Sequence, residues 1–482
     1  MRLYPPRGAA AIFATPLPFI EVYVDALDEA LRAGASGRKL SGAQRVWLKF
    51  CLMGLLLTNT VCWKAFERAG LGGYRLGALS WMFRHSKLAW DGLLRASVSL
   101  VLRRHGITEG VLVADDSDHR RAKRTRRIWK AHKIFDKKTG GYFNGQCLVF
   151  LVLVTPQVTV PVGFRFHQPD PTWAEWRRED RRLKRGGVKK PDRPAAPAPD
   201  PGYPGKAEQV LELIGAFRRH HPGIAVKAVL ADAWFGTQPF LDEASRRGGQ
   251  VQAISQLRAN QNIRFRGREW SLTEYFHAYP GLSLRLRVRG GEEIEAVVGS
   301  ARLHVCAHGT KCFVIALKYS GESDSRFLVA TDLSWRTLDI VRTHTLRWLV
   351  EVFFADWKLH EGWGQLAKQP GEEGASRSLT LSLLLDHALL LHPEQSARLE
   401  NQQPACTVGS LRQFSQGEAL LDWVRSVVAA ENVAERLAQL AEQVKTWFPL
   451  APSGKHMSGR DLGRQEPTPS LRYRAAQVAA TG

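Results

Sequence analysis

Apolar positions change their period along this chain, and each change predicts a different kind of element. From residue 1 to about 105 they recur at helical spacing, in FIEVYVDALDEALRAGA, GAQRVWLKFCLMGLLLTNTVCWKAFERAGL, WMFRH and LLRASVSLVLRRHG, with Gly72, Gly73 and Gly77 as punctuation. Between 107 and 167 the runs shorten and enrich in Val and Phe, which predicts strands at VLVAD, FNGQCLVFLVLV and VTVPVGFRF. The stretch KAEQVLELIGAFRRHH then predicts a helix, AVKAVLADAWF a strand, and QPFLDEASRRGG a glycine-closed helix, an order that belongs to an α/β layer. Alternation returns in QVQAISQLRAN, LSLRLRVRG, EEIEAVVGSARLHVCA, KCFVIALKY and RFLVATD, which predicts a β-rich insertion. Beyond it HTLRWLVEVFFADWK, LTLSLLLDHALLLHP and the 410–449 region read as helices.

The first of these late helices carries the most chemistry. Leu346, Trp348, Leu349, Val352, Phe353 and Trp357 form its apolar side, while Arg347, Glu351 and Lys358 share roughly one stripe. On its own, Arg347 with Glu351 is an ordinary exposed ion pair at i,i+4. Two strand-like runs, however, end in acids: VLVAD at Asp115, followed by Asp116, and AVKAVLAD at Asp232. Carboxylates at strand ends joined by a third on a helix suit divalent cations that prefer oxygen ligands, the chemistry of phosphoryl transfer on nucleic acid.

In these residues the chain resembles the bacterial insertion-sequence DDE transposases whose third carboxylate lies in a Tyr-Arg-Glu-Lys signature. Arg347, Glu351 and Lys358 keep that signature's spacing, Trp348 and Trp357 look like family members, and His344 stands in the Tyr place. Asp115-Asp116-Ser117 is similar to the family's Asp-x-Thr, and Asp232-Ala233-Trp234-Phe235-Gly236 to its Asp-x-Gly-Tyr/Phe. The resemblance implies Asp115, Asp232 and Glu351 as catalytic ligands of Mg²⁺ or Mn²⁺, with His344, Arg347 and Lys358 on DNA. Asp116 is the rival first ligand, since alternation turns it to the opposite face from Asp115. Asp115 is preferred because the family's acid stands two before its Thr, which maps onto Ser117.

The implied fold is an α/β, RNase H-like core with a mixed sheet flanked by helices, a β-rich insertion, and helical N- and C-terminal regions. Its expected divisions are a helical DNA-end-binding domain over 1–105, a first core part over 106–257, the insertion over 258–335, a last core part with the Glu351 helix over 336–395, and a helical C-terminal region and tail over 396–482. The implied activity is metal-dependent cleavage at element ends followed by transfer of the 3′-hydroxyl into target DNA. A nuclease or domesticated derivative that cuts without transfer is the alternative enzyme, and a basic DNA-binding protein the alternative without catalysis. Implied partners are double-stranded DNA, as inverted-repeat ends and target, and a second copy in the DNA complex, with no small-molecule cofactor.

Charge points the same way. The 68 Lys and Arg against 46 Asp and Glu give +22 over 482 residues, which favours a polyanion. A run after the first aspartates holds Arg120, Arg121, Arg124 and Arg127 with Trp129 and Phe135, and predicts a groove that tracks a nucleic-acid strand. Residues 168–205, rich in charge, Pro and Gly, predict a mobile excursion from the core. The longest apolar run, FCLMGLLLT, is too short to span a bilayer, and no signal-like segment leads the chain, so the expected location is the bacterial cytoplasm, with the nucleoid. Six scattered cysteines predict reduced thiols. His304, Cys306, His308 and Cys312 lack the Cys-x-x-Cys knuckle usual in zinc sites, and Asp386 with His387 point about 100° apart on a helix, which argues against a catalytic pair.

Overall fold

A computed structural model describes residues 16–34, 37–69, 74–121, 127–136, 139–287, 293–365 and 369–448. In its first third the helices are α1 (Pro18–Ala33), α2 (Gly42–Thr58), α3 (Trp63–Arg68), α4 (Leu76–His85) and α5 (Trp90–Arg104). Strands β1 (Glu109–Arg120), β2 (His132–Asp136), β3 (Gly141–Val154) and β4 (Thr159–His167) follow, then α6 (Pro171–Arg185), α7 (Lys206–His220), β5 (Ala225–Ala231), α8 (Gln238–Gly248) and β6 (Gln252–Leu257). Next come β7 (Asn262–Phe265), β8 (Arg268–Ser271), α9 (Leu272–Ala278), β9 (Leu282–Arg287), β10 (Glu293–Val305), β11 (Thr310–Tyr319) and β12 (Arg326–Ala330). The chain closes with α10 (Thr337–Thr345), α11 (Trp348–His360), α12 (Gly371–Leu390), α13 (Pro393–Glu400), α14 (Val408–Val428) and α15 (Val433–Trp447).

One mixed sheet runs through the middle in the order β2-β3-β1-β5-β6-β12-β11-β10-β7-β8, with β4 beside β3 and β9 beside β10. Among the described strands, β1 with β5 and β5 with β6 are parallel and the other pairings are antiparallel. This is the mixed α/β architecture expected of an RNase H-like core. The stretch expected as an inserted subdomain extends that same sheet, because β12 pairs with β6 through Ala330↔Ile254 and Phe327↔Leu257. Its alternating residues find a partner edge on the core, and burying that edge removes unpaired backbone groups.

Alternation along β1 divides the interior. Leu112 and Ala114 enter a core with Val149, Val210, Leu213 and Phe240, beneath α7 and α8. Val111 and Val113 enter another with Phe150, Val350, Phe353 and Trp357, beneath α11. The N-terminal helices share a further core with Leu381, Leu385, Trp423 and Trp447, so both ends of the described chain pack together. Helix α12 is buried all round from Ser378 to Leu390, and two of the polar groups it takes inside find backbone partners, Ser382 Oγ on Glu361 O at 2.6 Å and His387 Nε2 on Pro161 O at 3.0 Å.

Two features hold α11 in place. Trp357 donates its indole N–H to Ser382 Oγ at 2.9 Å and stacks on Trp363 at 5.3 Å and 13°. Past its end, Asn59 donates to Leu359 O at 2.7 Å and accepts from Gly362 N at 2.8 Å. Gly362 needs its φ of +74° there, and an added side-chain carbon would lie only 3.2 Å from the Thr60 backbone.

The helix expected over 344–358 is broken into α10 and α11 at Leu346 and Arg347. Bonds from Leu346 N to Thr343 O, Arg347 N to His344 O and Val350 N to Arg347 O each join residues three apart, so the backbone tightens at the joint. Residues 171–185, within the expected excursion, form α6, of which no residue is buried. Among the described residues, no helix is long and apolar enough to cross a membrane.

Candidate active site where the central strands part

Strands β1 and β5 run in parallel register until Ala114↔Ala231, where their pairing stops. β1 continues against β3 through Asp115↔Phe150 to Arg120↔Gly145, while β5 ends and the chain turns at Asp232. A cleft at the carboxyl ends of parallel strands is where α/β sheets place ligands, and Asp115, Asp116 and Asp232 sit on its lip.

Asp232 caps the turn after β5, accepting from Trp234 N at 2.9 Å, and its own carbonyl accepts from Ser255 Oγ at 2.6 Å. Gly236 is required by close approach, since an added side-chain carbon would lie 2.3 Å from Gln256 O. The Gly236 carbonyl lies 3.0 Å from His308 Nε2, and His308 Nδ1 is 3.5 Å from Cys312 Sγ. Thus His308 and Cys312, which lack the spacing of a zinc knuckle, brace the Asp232 turn from the extended part of the sheet.

Asp115 is 6% exposed and faces α11. Its Oδ1 accepts from Asp116 N at 2.8 Å, and its Oδ2 from Arg347 Nη1 at 2.7 Å. The helix break therefore has a consequence: Arg347 reaches across to the strand, and the i,i+4 ion pair with Glu351 does not form among the described contacts. Burial pushes the Asp115 carboxyl up to about 7; Arg347 opposes the rise, while Asp232 and Glu351 add to it. Asp232 is raised too, by burial first and by Asp116, against Trp234 N–H, Arg347 and Lys206. Asp232 and Glu351 thus both lie close enough to act on the Asp115 carboxyl. Glu351 itself is exposed, one turn beyond Arg347. Lys358 lies over the Phe354 ring at 5.9 Å and 3.4 Å from Asp118 O; burial lowers its pKa, against Asp118 and Glu351.

The opposite face of β1 carries a second acidic group. Asp116, Asp118 and Cys147 present ligand atoms within 4.8 Å of one another. Here the compensating charge belongs to the protein: Lys206 Nζ binds Asp116 Oδ2 at 2.7 Å. Nothing in the sequence flags Lys206, which follows a Pro-Gly turn ninety residues away and reaches Asp116 only through the packing of α7.

The expected DNA contacts separate in the structure. Arg120 is exposed, pairs with Asp136 at 3.4 Å and covers Phe143 at 4.8 Å. Arg121 corrects the expectation of a surface run, for it is 2% exposed, binds Gln146 Oε1 at 2.8 Å and Gln365 O at 3.0 Å, and lies over Trp363. Asn144 and Gln146 of β3 hold it there, Asn144 O accepting from its backbone N at 2.8 Å and Gln146 from its side chain. Arg124 lies outside the described residues. Arg127 is exposed, and its carbonyl accepts from Gly371 N at 2.9 Å. His344 is buried, with Nε2 3.2 Å from Gln256 Nε2. An imidazole beside phosphate would favour its charged form, but here burial, with Arg347 and Arg326, pushes it down to about 3.

Residues 38–274 match the family model described as DDE superfamily endonuclease. The matched span contains Asp115, Asp116 and Asp232 and stops before α11. No curated protein matches the chain.

Proposed function

Starting from that likeness to DDE superfamily endonucleases, we propose that the chain is an insertion-sequence DNA transposase, which cleaves a phosphodiester at the element end and directs the freed 3′-hydroxyl at target DNA. What supports the reading is that Asp115, at the point where two strands part, lies within electrostatic reach of both Asp232 and Glu351 and is bonded to Arg347.

The donor set suits Mg²⁺ or Mn²⁺. Burial raises Asp115 to about 7 in spite of Arg347, and all-oxygen ligands are those that hard divalent cations take. Asp115, Asp232 and Glu351 would hold the metal. Bound there, such ions activate the attacking oxygen and stabilise the leaving one.

The remaining work falls to this chain's cations and braces. Arg347 offers a planar fork and Lys358 a point charge, so both place phosphate oxygens beside the carboxylates. Ser255 and His308 fix the turn that aims Asp232. Arg347 also keeps Asp115 oriented by a 2.7 Å bond before substrate arrives.

Incubating the protein with Mg²⁺ and duplexes that carry its flanking ends tests the reading. Cleaved ends and joined products are expected; cleavage without joining would leave a DDE nuclease that cuts only, and neither would sink the enzyme.

A further inference from the structure

Between β4 and α7 the chain leaves the body of the fold and packs on itself. Asp170 caps α6 by accepting from Thr172 N at 2.8 Å and Trp173 N at 3.4 Å. The Trp173 and Trp176 rings meet edge to face at 5.0 Å, and Trp176 Nε1 donates to Pro194 O at 2.8 Å. Arg193 returns to Asp180 at 2.8 Å, with its side chain only 12% exposed. Trp173, Trp176, Asp180 and Leu183 thus form an inward stripe at helical spacing, all of it half-buried.

That stripe turns Arg178, Arg181, Lys184 and Arg185 outward, and all four are exposed. From 171 to 193 there are nine Lys and Arg (Arg177, Arg178, Arg181, Arg182, Lys184, Arg185, Lys189, Lys190, Arg193) and four Asp and Glu (Glu175, Glu179, Asp180, Asp192). The difference, nine minus four, is +5 of the chain's +22. Arg177 with Arg181, Arg178 with Arg182, and Arg181 with Arg185 are like charges at i,i+4, an arrangement that weakens an isolated helix and that a polyanion relieves.

Both feet of the lobe stand at the acidic end of β1. His167, which ends β4, is the register partner of Cys147, and Lys206, which starts α7, binds Asp116. We infer that this lobe is a grip on the DNA backbone: the outward cations of α6 hold phosphates of the duplex that leads into the candidate active site, without reading bases. The inference rests on the reading that this chain acts on DNA. An anionic lipid surface offers the same charge, but insertion needs an outward apolar face, and here the tryptophans turn in toward Pro194.

The test uses the full chain and an arbitrary 30-base-pair duplex in EDTA, with affinity followed against salt by fluorescence anisotropy. Arg178→Ala, Lys184→Ala and Arg185→Ala are combined, and alanine keeps the helix. Arg425→Ala, Arg436→Ala and Lys445→Ala, on α14 and α15, remove the same charge far along the chain. The α6 variant should flatten the slope of log affinity against log salt by about 2 to 3, at about 0.9 per phosphate, while the control stays near the parent. Equal flattening in both would reduce the effect to net charge and overturn the grip. So would an unchanged slope in the α6 variant, or loss of binding to anionic vesicles alone. A parent with no salt-dependent binding to any duplex would instead fail the transposase reading itself, a separate result from any of these.

Discussion

The two faces of β1 carry acids one residue apart and treat them differently. On the α11 face, Asp115 is nearly buried, shares its field with Asp232 and Glu351, and is bonded to Arg347 and to Asp116 N. On the α7 face, Asp116 and Asp118 have Lys206 seated on them at 2.7 Å for Asp116, and Cys147, whose thiol burial pushes well up, beside them. Each acid has one cation of the protein at 2.7 Å, Arg347 on Asp115 and Lys206 on Asp116, so the two differ in burial and in their carboxylate neighbours rather than in having a partner. The proposed site takes Asp115, not Asp116, as its first carboxylate.

Removing each acid tests this most strongly. Asp115→Ala, Asp232→Ala and Glu351→Ala should each drop cleavage of end-bearing DNA by roughly a thousandfold or more, with DNA binding retained, whereas Asp116→Ala keeps most activity. The reverse order for the two adjacent aspartates, in the same cleavage assay, would exchange the roles of the faces.

Arg347→Ala should cost roughly 3 kcal/mol in chemical denaturation, because it leaves a buried carboxylate without its partner. Mg²⁺ should recover much of that loss if the ion and the guanidinium answer the same charge. A variant as stable as the parent would show that the pair does little.

Mg²⁺ binding should also appear as a thermal shift, with a stabilisation of about 2.7 kcal/mol at a hundredfold excess over the dissociation constant. Asp115 holds its proton to about pH 7 when folded, against an ordinary value of 3.8. The folded chain therefore carries the extra proton between those values, and its stability falls as pH rises through that window. The Mg²⁺ shift should grow over the same window, and Asp115→Asn should remove both trends. Parallel pH profiles for parent and variant would place the titrating group elsewhere.

Lys206→Ala should cost only about 1 to 2 kcal/mol and spare cleavage, since Asp116 regains water at the lip. The smallest effect belongs to His344. With its imidazole held at about 3, the ratio of parent to His344→Gln cleavage should stay flat from about pH 6 to 8.5. A ratio that falls with pH would restore a charged histidine at the DNA.

Strand alternation and helical period, read along the chain, were enough for the mixed α/β plan, the strand that ends at Asp232 and a helix bearing Glu351. Those signals are local, set by which side of an element meets solvent. The same locality explains what was missed. Arg121 reads as one more cation in a basic run, yet Gln146, Trp363 and Gln365, distant in sequence, take it inside. The β-rich stretch reads as an insertion, and the pairing of its β12 with β6, which continues the core sheet through it, is written in no local pattern.

What the sequence determined by itself is the inventory: the order of elements, the acids at their ends, and the excess of positive charge that favours DNA. The tertiary structure decided the pairings. Arg347 could bind Glu351 on its own helix or Asp115 on a strand 232 residues away, and the tightened turn between α10 and α11 brings it to Asp115. Asp115 and Asp116 differ by one position in the chain, but the pleat turns one toward α11 and the other toward Lys206. Charge acts through space, so the neighbours that set each carboxyl's state are fixed only when the chain has folded.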